Sequence, residues 1–207
     1  MYDYAELAHY RRTVAEHYAA VRASDDPVAA ALRFRAERDR LFESHPLSAL
    51  TEAARADFQG IPYADYDPSW RFTTAIVKDV DPEEITGELP EGPIRYQRIG
   101  RAHFTTPTGE AGVLSLFWIL GYGGGVFIPF HDATNGHVTY GGGRYLYDTI
   151  KGADLGVSSH SIVLDFNFAY HPSCFYNPAW VCPLAPPENH LAFAVPVGEL
   201  AGAGSWQ

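Results

Sequence analysis

Positive charge is scarce in this chain. Against 25 acidic residues there are 15 lysines and arginines, a net charge of −10 with histidine neutral, so the average field repels phosphate backbones and anionic lipid headgroups. Nucleic acid and membrane surfaces are therefore not expected partners. Also lacking is an apolar run ahead of a small-residue cleavage site: MYDYAELAHYRRTVAEHY mixes acids with arginines, which predicts no secretory signal and a cytoplasmic location. Cysteine is nearly absent, with only Cys174 and Cys182. In a reducing cytosol both are expected as thiols, although seven intervening residues also leave room for a disulfide or for two sulfurs on one face of a loop. A charge-free stretch of twenty residues, Ala111 to Phe130, is nominally long enough for a bilayer. Gly121, Gly123, Gly124, Gly125 and Pro129 interrupt it, so Val113–Leu120 and Val126–Ile128 read as two buried strands of a soluble hairpin.

What is present suffices for one compact domain: 207 residues, 46% hydrophobic and 14% aromatic. Residues 1–60 read as a helical arm. Tyr4 to Val21 has no Gly or Pro and repeats apolar positions at helical spacing, and Asp25-Asp26-Pro27 supplies an N-cap and first-turn proline for a helix over Val28 to Phe42. Ser48 is a candidate cap for a short third helix ending near Phe58, and Arg33, Arg35, Arg38 and Arg40 read as a solvated face. Residues 61–207 read as an antiparallel β domain, the two parts forming one structural unit. Strands are expected near 71–79, 94–106, 112–121, 125–130, 137–140, 144–148, 160–167 and 190–197, with DPEEITGELPEGP from Asp81 as an acidic connector. No room remains for helices between them. The fold class is mainly β (α+β): an antiparallel β-sandwich or partly closed barrel with an N-terminal helical arm.

Chemistry-bearing residues crowd the segment from Phe127 to Leu191. Asp132 precedes Asn135-Gly136, a dipeptide suited to a tight turn, and with Thr134 it can hydrogen-bond the turn backbone. Gly141-Gly142-Gly143 lead into Arg144. Successive glycines let amides converge on an anion and the guanidinium adds a bidentate fork, so Gly141 or Gly142 is expected at positive φ and Arg144 either binds a carboxylate or phosphate or pairs with Asp132 or Asp165. Asp165 and Asn167 share one face of an expected strand, with Arg144 as the natural partner of Asp165. Glu188 and Asn189 follow the stiff Pro186-Pro187, and Glu188 reads either as a site residue or as the partner of an arm arginine. Cys174 is a candidate nucleophile with His171 three residues away, and Tyr140 and Tyr170 are candidate pocket walls. Two thiols and two imidazoles, Cys174, Cys182, His171 and His190, form a conceivable zinc set, but their spacing is unlike that of structural zinc sites, and no metal is expected.

The pieces PF-x-DATNG, TYGGGRYL, LDFN-x-AY, the two cysteines and CPL-x-PPEN together resemble the bacterial domain of unknown function family numbered 1684. The likeness extends through RAERDRLFESHPLSAL, PYADYDPSWRF and VPVGEL, from about Arg33 to Leu200. The chain departs from the family pattern at His171, where the family has Asn, and at His190, where it has Arg, which weakens the zinc set further. The resemblance implies no activity and no cofactor. The expected function is a small-molecule-binding domain that recognises an anionic ligand through Tyr140, Gly141, Gly142, Gly143, Arg144, Asn167, Tyr170 and Asn189, with Asp132, Asp165, Glu188 and Cys174 as the candidate catalytic groups. A hydrolase or transferase using Cys174 or a carboxylate, and a non-catalytic interaction domain with a structural polar network, are the alternatives. Self-association into a homo-oligomer stays open.

Overall fold

The computed structural model describes residues 3–90 and 92–202. Asp3 accepts hydrogen bonds from the amides of Ala5 and Glu6 and starts α1 (Tyr4–Arg22). Asp26 accepts from Ala29 ahead of Pro27 at the first turn of α2 (Pro27–Ser44), as the capping pattern predicts. The short α3 (Glu52–Ala56) is capped by Thr51. Ser48, the expected cap, instead donates to the Phe42 carbonyl and accepts from Leu50, tying off the end of α2.

Seven antiparallel strands follow: β1 (Arg71–Val77), β2 (Glu84–Leu89), β3 (Gly92–Thr105), β4 (Ala111–Ile119), β5 (Val126–Phe130), β6 (Arg144–Asp148) and β7 (Ser161–Asp165). They form a single sheet in the order β6-β5-β4-β3-β1-β7, with β2 also paired to β3, curled into a half-barrel. The end strands β6 and β7 are joined by a side chain, the Tyr147 hydroxyl reaching the carbonyls of Gly156 at 3.0 Å and Val163 at 2.6 Å. The concave side holds Leu114, Leu116, Ile128, Phe130, Leu146, Leu164 and Phe166, all fully buried. The arm packs over one end through aromatic edges: Phe34 meets Phe168 at 5.0 Å and Tyr18 at 4.9 Å between ring centroids. A short α4 (Ser173–Tyr176) adds Tyr176 against Phe42 of α2.

Three sequence expectations are corrected. The acidic connector contains β2, whose Glu84, Thr86 and Glu88 point outward while Ile85, Gly87 and Leu89 are half-buried. Residues 137–140 form no strand: the amides of His137, Val138 and Thr139 fold back onto the Thr134 carbonyl. Residues 190–197 form no strand: they bend at 192–193 and run beside His131 to Ala133, with bonds from Leu191 to the His131 carbonyl and from Ala133 to the Phe193 carbonyl.

Candidate functional site

Arg144 begins β6 and is wholly buried. Its Nη2 donates to Asp132 Oδ2 and to the Val195 carbonyl, both at 2.8 Å, and its Nη1 donates to the Val197 carbonyl at 2.5 Å. The guanidinium therefore serves as the hydrogen-bonding partner that the extended residues 195–197 lack from any strand. Asp132 Oδ1 completes the clamp by accepting from Thr134 at 2.9 Å and Val195 at 3.1 Å. Burial works to lower the Arg144 pKa, and the Asp132 charge is the largest effect opposing it. Of the two readings of Arg144, the geometry favours the pair with Asp132 over an anion site. Positive φ falls on Gly143 (+88°), not on Gly141 or Gly142. A Cβ on Gly143 would lie 2.6 Å from the Phe130 carbonyl oxygen. Gly143→Ala is expected to lose on the order of 1–2 kcal/mol of stability, measured by urea denaturation; an unchanged midpoint would show that the loop can adapt.

The other expected site residues divide between clamps and cavity walls. Asp165 closes β7 and does not reach Arg144 in an ion pair; it accepts from Tyr66 and Asn167 and lies 3.6 Å from Arg71. Burial lifts its carboxyl above the usual range. Asn167 sits in the helical turn after β7 instead of on the strand, and its side chain clamps the Asp67 backbone, Oδ1 accepting from the Asp67 amide and Nδ2 donating to the Asp67 carbonyl. Asn189 is sealed, accepting from the Ser115 amide and donating to the carbonyls of Ser115 and Pro129. Glu188 is gripped by Arg98 of β3, with no arginine of the arm involved. Burial acts to raise the Glu188 carboxyl, but hydrogen bonds from Arg98 and Ser115 outweigh it and leave it below its usual range.

A different place is open. Between α1, α2 and the β6–α4 region lies a two-part cleft. Its inner part, about 70 Å³, is walled by Tyr10, Tyr18, Arg38, Tyr170 and His171, among others. Its outer part, about 390 Å³, is walled by Tyr4, Leu7, Arg11, Trp180, Val181 and Cys182, among others. Tyr10, Lys151 and Ser173 line both. Tyr170 is thus the one expected ligand-binding residue on this cleft.

Behind the inner part is a buried carboxylate that the sequence reading missed. Glu199 accepts from Arg38 Nε (2.7 Å), the Tyr63 hydroxyl (3.1 Å), the Tyr176 hydroxyl (2.7 Å) and the His171 amide (2.7 Å). Burial alone would raise its pKa, but the Arg38 charge and its other partners hold it below the usual carboxylate range. Arg38 lies over the rings of Phe42 and Tyr170, so the arginine run of α2 is not uniformly solvated. The available signals were position and neighbours: Arg38 stands within RAERDRLF and Glu199 within VPVGEL. His171 Nε2 accepts the Tyr140 amide at 3.2 Å, which puts the ring proton on Nδ1, 3.7 Å from Glu199. Burial drives the imidazole pKa down to about 4.

Cys182 lines the outer part, with Cys174 beside it. Cys174, in α4, lies 3.9 Å from the Tyr140 hydroxyl, and its thiol interacts with that of Cys182. Neither is in a disulfide. With His171 Nε2 taken by the Tyr140 amide and His190 stacked on His131, the four residues of the conceivable zinc set form no ligand cluster among the described residues. Among the described residues, the ligand atoms of Glu6, His9 and His45 do lie within 4.8 Å of one another. However, His45 Nδ1 accepts the Leu47 amide, so its Nε2 carries the proton and faces His9 Nδ1 at 3.1 Å. A cation there would force a second proton against the Leu47 N–H.

Fold and cleft together define a curled antiparallel half-barrel whose open end is covered by a helical arm. The chain belongs to the family described as protein of unknown function (DUF1684), whose model matches residues 56–200. α1 and α2 precede the matched residues. Among solved structures, the chain is similar to the solution NMR structure of an uncharacterized protein of Haloarcula marismortui, at 32% sequence identity and a TM-score of 0.60, covering 83% of this chain and 92% of that one. Comparison with curated proteins gives no match.

Proposed function

We propose that the protein binds a small anionic molecule with an apolar body, and that it does so in the arm cleft instead of at the glycine loop. The observation that carries this reading is the lining of the outer part: Arg11 and Lys151 are the charged residues among Tyr4, Leu7, Leu47, Trp180 and Val181, and no carboxylate stands among the described residues there. A volume of about 390 Å³ falls in the range of small-ligand sites. Lys151 also lies 3.4 Å from Asp148 of the inner part, so in a chain of net charge −10 the excess cation at the outer part is Arg11. Apolar walls would take the body of the ligand, and Arg11 its carboxylate or phosphate. Arg144 keeps a structural part in this reading.

The test is thermal unfolding in a panel of medium-chain carboxylates, phosphate monoesters and matched neutral alcohols. A ligand present at a hundred times its Kd stabilises the folded state by about 2.7 kcal/mol, which raises Tm by roughly 5–10 °C for a chain of this length. The anions are expected to raise Tm and the alcohols not to. Arg11→Gln is expected to remove most of the shift without lowering the Tm of the unliganded protein by more than about 2 °C; Lys151 is left in place because it pairs with the buried Asp148. Equal shifts from acids and alcohols, or none from any compound, would overturn the reading.

A further inference from the structure

The two thiols at the outer end of the cleft are arranged unequally, and the inequality has chemical content. Cys182 lies in the extended segment after α4 and lines the cleft next to Ser173 and Lys151. Its sulfur receives the Cys174 thiol, the Cys174 and Ser173 amides and the field of the Lys151 ammonium, and these outweigh its burial and lower its pKa. Cys174 has the opposite surroundings. Its interaction with Cys182 and its burial both hold the proton on, and its pKa is pushed well up. Sequence suggested Cys174 as nucleophile with His171 as base, but His171 Nε2 is occupied by the Tyr140 amide, and of the two half-buried cysteines it is Cys182 that lines the cleft.

We propose that Cys182 and Cys174 form a thiol–disulfide exchange site whose substrates are low-molecular-weight disulfides entering through the cleft, with Cys182 attacking and Cys174 resolving. In the first step the Cys182 thiolate bonds to one sulfur of the substrate, the substrate S–S bond breaks, and one thiolate leaves and takes up a proton. In the second step Cys174 loses its proton to solvent and attacks the Cys182 sulfur. The mixed disulfide breaks and the second substrate thiol departs. The protein dithiol is oxidised by two electrons and one disulfide is reduced to two thiols; a small thiol reductant runs the cycle in reverse. The geometry times the steps. While Cys182 is an anion it holds the Cys174 proton in place, and once Cys182 is bonded to substrate that hold is gone and Cys174 can ionise.

The site does not depend on anion binding, so a neutral probe, 2-hydroxyethyl disulfide, keeps the two readings separate. Reduced protein is treated with the probe at pH 7 and its intact mass followed. The wild type is expected to lose two hydrogens and to carry no lasting adduct, with peptide mapping placing one Cys174–Cys182 disulfide. Cys174→Ser is expected to stop at a stable single adduct on Cys182, and Cys182→Ser to react at least about tenfold more slowly. At pH 7 iodoacetamide is expected to alkylate Cys182 before Cys174 and faster than an ordinary thiol. Two independent adducts on the wild type, or Cys174 reacting first, would overturn the proposal. Both outcomes are read on the unmodified chain, so poor folding of a variant would not shield it.

Discussion

Asp132→Ala is expected to cost about 3–5 kcal/mol of unfolding free energy, because it leaves the fully buried Arg144 charge without its counter-charge. Both groups are fully buried, and Asp132 also accepts the Thr134 and Val195 amides, which would lose their partner. The effect should show as a lower urea midpoint with an unchanged m-value. Asp132→Leu combined with Arg144→Met removes both charges, and is expected to lose less than Asp132→Ala alone, since the larger part of the penalty is the uncompensated cation. A single variant that loses under about 1 kcal/mol would mean that Arg144 finds another counter-charge.

The second large effect is on acid stability. His171 has a folded pKa of about 4, well below its usual 6.5, so the unfolded chain takes up the proton first. Its contribution is fully present above about pH 6.5 and is lost as pH falls toward 4, a window worth roughly 3 kcal/mol at 1.36 kcal/mol per pH unit. Glu199, held below its usual value of 4.5, adds its own loss only at more acid pH. His171→Asn keeps an acceptor for the Tyr140 amide while removing the titrating ring. The wild type minus variant difference in stability is expected to fall steeply between pH 6.5 and 4, and a difference flat across that window would show that His171 protonates freely in the folded state.

Sequence pattern reached the strands whose apolar periodicity is strong and the helices whose caps are written in Asp and Pro. It failed where a side chain takes over the work of backbone. Residues 190–197 have a strand's composition, but their carbonyls at 195 and 197 are met by the Arg144 guanidinium, and nothing local in the sequence announces that a charged side chain will replace a strand. β2 was hidden for the reverse reason: its alternation is clean, but glutamates on the outward positions gave it the look of a linker. The glycine loop was found, though its strained position is the third glycine, set by the approach of the Phe130 carbonyl. The arm cleft was the least legible feature. Tyr10, Lys151, Ser173 and Cys182 come together only through tertiary packing, and each alone looks like an ordinary surface or core residue.

The bond between Arg38 and Glu199 spans 161 positions of chain, which gives the arm a particular history at the ribosome. At 5–20 residues per second, α2 emerges roughly 8–30 s before the carboxylate that will seat it. Throughout that interval Arg38 and the aromatic face of the arm have no finished surface to land on, so the part of the protein made first is among the last to be secured. A chain cut short before Glu199 should therefore display the arm to added protease, and a released chain that includes Glu199 should protect it.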